Sequence, residues 1–104
     1  MDLAVFTYQL TSCFPKEEKY GWISQIQRCT VSVPSNIAEG SGRVSKKEFQ
    51  HYTSITMGSS FELETQVILA FRFNYINAEQ LAEFEKLVTP VQKMCFGLYN
   101  SLEN

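Results

Sequence analysis

The chain has 104 residues, 44 % hydrophobic and 19 % charged, with a formal net charge of −2. This length suits one domain with a modest core, so residues 1–104 are expected to form one, and the composition excludes a disordered chain. Residues 1–52 carry six basic and five acidic groups and residues 53–104 three and six, which excludes strong nucleic-acid binding through global charge but leaves room for a local basic patch.

The first predicted element runs from Leu3 to about Cys13. Leu3, Phe6, Leu10 and Cys13 recur at helical spacing and share one face. Asp2 is placed to cap it, and Phe14-Pro15 ends it, because the residue before a proline avoids helical geometry.

A second helix is expected from about Tyr20 to Gly40. Ile23, Ile26, Thr30, Val33 and Ile37 form its stripe. Pro34 sits within it and cannot donate to the Thr30 carbonyl, which predicts a kink rather than a break. The glycines of Gly40-Ser-Gly42 supply a stop.

Ser45-Lys-Lys-Glu48 reads as a capping box opening a third helix, with Val44 and Phe49 spaced as its hydrophobic staple. That helix can continue to about Phe73, or ~42 Å at the usual helical rise. Phe49, Tyr52, Ile55, Met57, Phe61, Leu63, Val67, Ile68 and Phe71 cover much of its circumference. Such a helix is either central or buried again in an oligomer interface.

Asn77 and Gln80 repeat the box signal for a fourth helix, with Ile76 and Leu81 as staple. Leu81, Phe84, Val88, Val91, Cys95, Leu98 and Leu102 then hold a bundle seam, interrupted by Pro90. Short connections make sequential helices antiparallel, so the expected fold is an all-α, antiparallel up-and-down four-helix bundle.

Reactive groups are sparse. His51 is the single histidine, so Glu48-Phe-Gln-His51 lacks the second Glu-x-x-His that a di-iron bundle needs. Glu62 and Glu64 point to different sides of their helix and suit solvated or ion-pairing roles. Gly40-x-Gly42 lacks the remainder of a nucleotide-binding loop. Cys13, Cys29 and Cys95 have no metal or disulfide spacing; each is expected to be a buried packing residue in a reducing compartment. No basic leader precedes an apolar run and no stretch approaches roughly 18 apolar residues, so a cytoplasmic protein without membrane association is expected. No enzyme activity, cofactor or metal is expected.

Two features stand out. Ser32-Val-Pro34-Ser35-Asn36-Ile-Ala-Glu39-Gly40 gathers small and polar residues within a bundle helix, and Gly58-Ser59-Ser60 is a matching patch on the next. The run suits either a tight, kinked crossing, with a hydroxyl or the Asn36 amide satisfying the carbonyl freed by Pro34, or a contact surface around Asn36 and Glu39. The second feature is Arg43, Lys46 and Lys47. A helix N-terminus with free amides beside three cations suits a phosphate or an acidic partner, and Arg28 is a candidate fourth cation. The alternative is an ordinary solvated turn offset by Glu48.

These residues also carry a resemblance. Phe14-Pro15-x-Glu17, Tyr20-Gly21 and Gln25-Ile26 precede SVPSNIAEG at 32–40. Gly42-Arg43-x-Ser45-Lys-Lys-Glu48-Phe49, Gly58-Ser59 and Glu62-Leu-Glu-Thr-Gln66 follow. Over almost its whole length the chain resembles the four-helix bundle proteins encoded within intervening sequences of bacterial 23S ribosomal RNA genes, often labelled ribosomal-protein-like. The resemblance implies a homopentamer. A related group, the accessory variability determinants of diversity-generating retroelements, forms basic pentamers that bind a reverse transcriptase and nucleic acid. Here Gln27-Arg28 stands where relatives often have two basic residues, and the overall charge is acidic. The resulting expectation is a non-enzymatic oligomeric accessory protein that binds RNA or a nucleic-acid-handling protein through Arg43, Lys46 and Lys47. The alternative is a protein-interaction module with no nucleic-acid binding, suggested by the many-faced apolar third helix. A small-ligand site would need a deep pocket near Asn36.

Overall fold

A computed structural model describes residues 2–18 and 21–103. Four α-helices follow one another among the described residues: α1 (Asp2–Thr11), α2 (Trp22–Ser41), α3 (Lys46–Arg72) and α4 (Ala78–Ser101), with a 3-10 turn at Lys16–Glu18. They pack up and down in sequence, and among the described residues there is no strand. Each helix packs on its neighbours in chain order, and α4 closes the bundle against α1.

The start and stop signals are mostly local chemistry. Asn77 accepts from the Gln80 amide and its own amide donates to the Gln80 side chain, both at 2.8 Å, so the box at α4 is complete. At α3 only half of the expected box forms: Ser45 Oγ accepts from the Glu48 amide at 3.0 Å. The Val44–Phe49 staple does not form, because Val44 is fully exposed while Phe49 turns in toward α2. The start expected near Tyr20 lies outside the described residues, and the helical stretch observed beyond them begins at Trp22. Helix α2 continues through Pro34, and α4 through Pro90.

One boundary differs from expectation. Helix α1 ends at Thr11, where Ser12, Cys13 and Phe14 donate to carbonyls three residues back and tighten the chain into a turn. Cys13 therefore leaves the apolar stripe and is exposed, not buried; Asp2 lies inside the first turn of the helix rather than before it. The glycine stop of α2 lies where expected: Gly42 caps the helix in a right-handed conformation, and Gly40 is buried in its last turn. An unanticipated cap closes α3. Asn74 takes a positive φ of 64°, its amide donates to Phe71 and the Tyr75 amide donates to Ala70. This is the paired-bond arrangement of a left-handed helix end, which asparagine tolerates better than most residues.

The core joins Leu3 and Leu10 of α1, Ile26 of α2, Leu63 and Val67 of α3, and Phe84 and Val88 of α4. Phe14, Trp22, Phe73 and Tyr75 cluster at one end with centroids 5.3–6.1 Å apart, Trp22 meeting Phe14 and Phe73 edge to face and the other pairs tilted, which locks the α1–α2 connection to the α3–α4 turn. Threonine and serine occupy several buried positions; Thr7, Thr53 and Thr56 satisfy their hydroxyls on carbonyls four residues back. On α3, Ile55, Phe61, Ile68 and Leu69 keep 37–48 % of their surface exposed. The apolar circumference of α3 therefore exceeds what this core covers.

Candidate functional site at the start of the third helix

The crossing of α2 and α3 positions the site. Ser32 Oγ and Ser59 Oγ meet at 2.9 Å, one from each small-residue patch. Asn36 Nδ2 donates to the Ser32 carbonyl and to Ser32 Oγ, both at 2.8 Å. The amide thus braces the serine contact and does not reach the Thr30 carbonyl that Pro34 leaves without its helical donor. Pro34 is half-buried, while Ser35 points into solvent. Further along, an added Cβ on Gly40 would lie 2.7 Å from Tyr52 Cβ and 2.9 Å from Phe49 Cδ1. Gly40 therefore permits α3 to approach closely beside the turn that carries the basic residues.

Arg43 is held in that turn. Its guanidinium pairs with Glu39 and donates to Tyr52 Oη at 2.8 Å, with Cζ 5.1 Å from the Tyr52 ring centroid. Tyr52 foremost, with Glu39 and Glu48, favours the charged form of Arg43. Lys46 and Lys47 are exposed and, among the described residues, have no ion-pair partner. Lys47 borders three hollows. The largest, about 450 Å³, also has Arg43, Glu48, His51 and Tyr52 in its wall. Another is shared by Lys46, Gln50, Leu102 and Glu103, and the third by Gln50, His51, Ser54 and Tyr99. Gln50 also donates to the Tyr99 carbonyl at 3.2 Å, fixing this end of α3 to α4.

Arg43, Lys46 and Lys47 thus come together with Glu39 and Gly40. Arg28 does not join them: it is exposed on α2 and lies about 20 Å along the helix from Ser41. Among the described residues no group of three metal-ligating side chains converges, and no helix is long and apolar enough to cross a membrane.

A carboxyl pair has no counterpart among the sequence motifs. Glu64 of α3 accepts from Gln92 of α4 at 3.0 Å and is hydrogen-bonded to Glu85. Burial, reinforced by Glu64, pushes Glu85 up to about 7. The two glutamates stand 21 positions apart on different helices, so no local spacing announces them. The cysteines divide similarly. Burial, then the Glu62 carboxylate, pushes Cys29 up to about 11, and burial raises Cys95.

A family model described as 23S rRNA-intervening sequence protein matches residues 1–97. The chain belongs to the 23S rRNA-intervening sequence protein family. No curated protein matches it significantly. Among solved structures, the chain is similar to a protein of unknown function of the S23 ribosomal protein family from Bacteroides thetaiotaomicron VPI-5482. The two share 23 % identity over 94 % of this chain and 92 % of the other, with a TM-score of 0.83. At that identity the likeness concerns the bundle itself.

Proposed function

We propose that the protein is a non-enzymatic, homo-oligomeric accessory protein of the cytoplasm, acting as one domain. It binds RNA or a nucleic-acid-handling protein through the turn that holds Arg43, Lys46 and Lys47. The observation that carries this reading is the contrast between the three cations. Arg43 is fixed by Glu39 and Tyr52, whereas Lys46 and Lys47, exposed in the first turn of α3, have no ion-pair partner among the described residues. Cations at a helix N-terminus oppose its dipole, so this placement favours an incoming anion.

Within one copy, Glu39 and Glu48 offset much of the charge. The reading therefore depends on assembly, which would repeat the turn; the family resemblance suggests a pentamer. The test is fluorescence anisotropy with a short single-stranded RNA, comparing wild type with Lys46→Ala/Lys47→Ala at equal mass by light scattering. Binding lost only in the variant supports the reading; equal binding by both proteins removes the turn from it.

The exposed Ile55, Phe61, Ile68 and Leu69 favour a second reading, a protein-interaction module whose contact surface is α3. A partner retained after nuclease treatment and after Lys46→Ala/Lys47→Ala would favour that alternative.

A further inference from the structure

Three hollows meet at Lys47, and the smallest differs from the other two in chemistry. It holds about 240 Å³ between Lys47, Gln50, His51 and Ser54 of α3 and Tyr99 of α4. The four α3 residues recur at i, i+3, i+4 and i+7, so one face of the helix lines it. Its described walls carry no carboxylate, whereas Glu48 and Glu103 stand in the walls of its neighbours. The function proposed above uses none of Gln50, His51, Ser54 or Tyr99.

Two of these five residues are aromatic. His51 is exposed and meets Tyr52 edge to face with centroids 6.0 Å apart, so those two rings are not stacked face to face. Gln50 donates to the Tyr99 carbonyl at 3.2 Å, which holds the α4 wall against the α3 wall. Gln50 and Ser54 also bring an amide and a hydroxyl, groups that hydrogen-bond the edges of unpaired bases.

Size and charge narrow the occupant. Drug-sized ligands fill about 300–1,000 Å³. A smaller hollow takes one ring system and leaves the rest of the ligand outside, where exposed Lys46 and Lys47 favour an anionic remainder. Flat rings on an anionic backbone are what aromatic and cationic side chains bind together in single-stranded nucleic acid. Bases in a duplex are already stacked and paired, so they cannot enter. An acidic peptide would satisfy the lysines but offers no ring to the hollow.

We infer that this hollow takes one unpaired base of a single-stranded RNA, with His51 as the stacking platform and Lys47 on an adjoining phosphate. The inference rests on the basic-turn reading and deepens it: the lysines draw the strand in, and the groove between α3 and α4 selects unpaired over paired RNA.

The test is fluorescence anisotropy of the full chain at low salt with a labelled single strand and with a duplex of equal length. The single strand also carries 2-aminopurine, whose emission falls when it stacks. Wild type is expected to bind the strand more tightly than the duplex and to quench the probe. His51→Ala is expected to weaken strand binding at least about fivefold and relieve the quench. His51→Phe keeps a flat ring without the imidazole nitrogens and is expected to restore both. Ser54→Leu, from an exposed position in the wall, fills the hollow and is expected to act like His51→Ala. Equal affinity for strand and duplex overturns the inference, as does unchanged strand binding in both His51→Ala and Ser54→Leu. If Lys46→Ala/Lys47→Ala loses binding while those two variants do not, the basic turn stands and the hollow is not a base site. If wild type binds no RNA but captures a poly-glutamate peptide, the ligand of the turn is an acidic protein and the inference fails.

Discussion

Gly40 and Tyr52 set how closely α2 and α3 approach: a Cβ at residue 40 would fall 2.7 Å from Tyr52 Cβ. The same tyrosine accepts a hydrogen bond from Arg43, so the packing contact and the basic turn share one side chain. Overpacking of this kind costs about 1–3 kcal/mol, and alanine gains at most about 1 kcal/mol over glycine within a helix. Gly40→Ala is therefore expected to lower stability by up to ~2 kcal/mol. The measurement is the urea midpoint at constant denaturant slope. A variant as stable as wild type would mean that the helices do not approach this closely.

Glu85 makes stability depend on pH in an unusual direction for a carboxylate. Its ordinary value is 4.5, and burial followed by Glu64 pushes it to about 7 in the fold. The folded chain thus holds a proton that the unfolded chain releases. The contribution to stability is complete below pH 4.5 and is lost as pH rises through 7. Glu85 is partly exposed, so solvent moderates the effect. Denaturation at pH 6 and pH 8 should show the wild type weaker at pH 8, and Glu85→Gln should flatten that difference. A wild type that gains stability on going from pH 6 to pH 8, by an amount Glu85→Gln abolishes, would contradict the assignment.

Asn77→Ala removes the acceptor for the Gln80 amide and breaks the reciprocal box at α4. The expected loss is about 1 kcal/mol, read from thermal or urea unfolding. Ser45→Ala should cost a similar or smaller amount, because only one of its two expected bonds is present.

The three thiols should separate kinetically. Cys13 is exposed, Cys95 is buried, and Cys29 is half-buried and pushed up to about 11. Thiolate is the reacting species, so labelling near neutral pH should show one fast thiol and two slow ones. Cys13→Ser should abolish the fast phase. Two fast phases in the native protein would place Cys29 or Cys95 at the surface.

Much of the fold was legible because its determinants are local. Asn77 and Gln80 lie three residues apart and close their own box, and the Phe84–Val88–Cys95 seam repeats at helical spacing. The small patches at Ser32 and Ser59 were also visible in the chain, and their two hydroxyls meet in space. What failed depended on where a helix ends or which way a loop turns. Cys13 continued the stripe on paper, but the chain leaves α1 at Thr11. Val44 had staple spacing but faces solvent. Of the candidate site, the grouping of Arg43, Lys46 and Lys47 was readable because those residues are adjacent. The Glu39–Arg43–Tyr52 arrangement and the Glu64–Glu85 pair arise from helices meeting in space.

The most direct measurement is the salt dependence of RNA affinity for wild type and Lys46→Ala/Lys47→Ala, followed by fluorescence anisotropy with the mass of each protein checked. If the two lysines bind phosphate, wild-type affinity falls with salt. Each single-strand phosphate that a lysine neutralises adds roughly 0.7 to the slope of log affinity against log salt. Removing both lysines should therefore make that slope shallower by about 1.4 per turn engaged. No binding by wild type at low salt, or the same slope and affinity in both proteins, would contradict a nucleic-acid role for this turn.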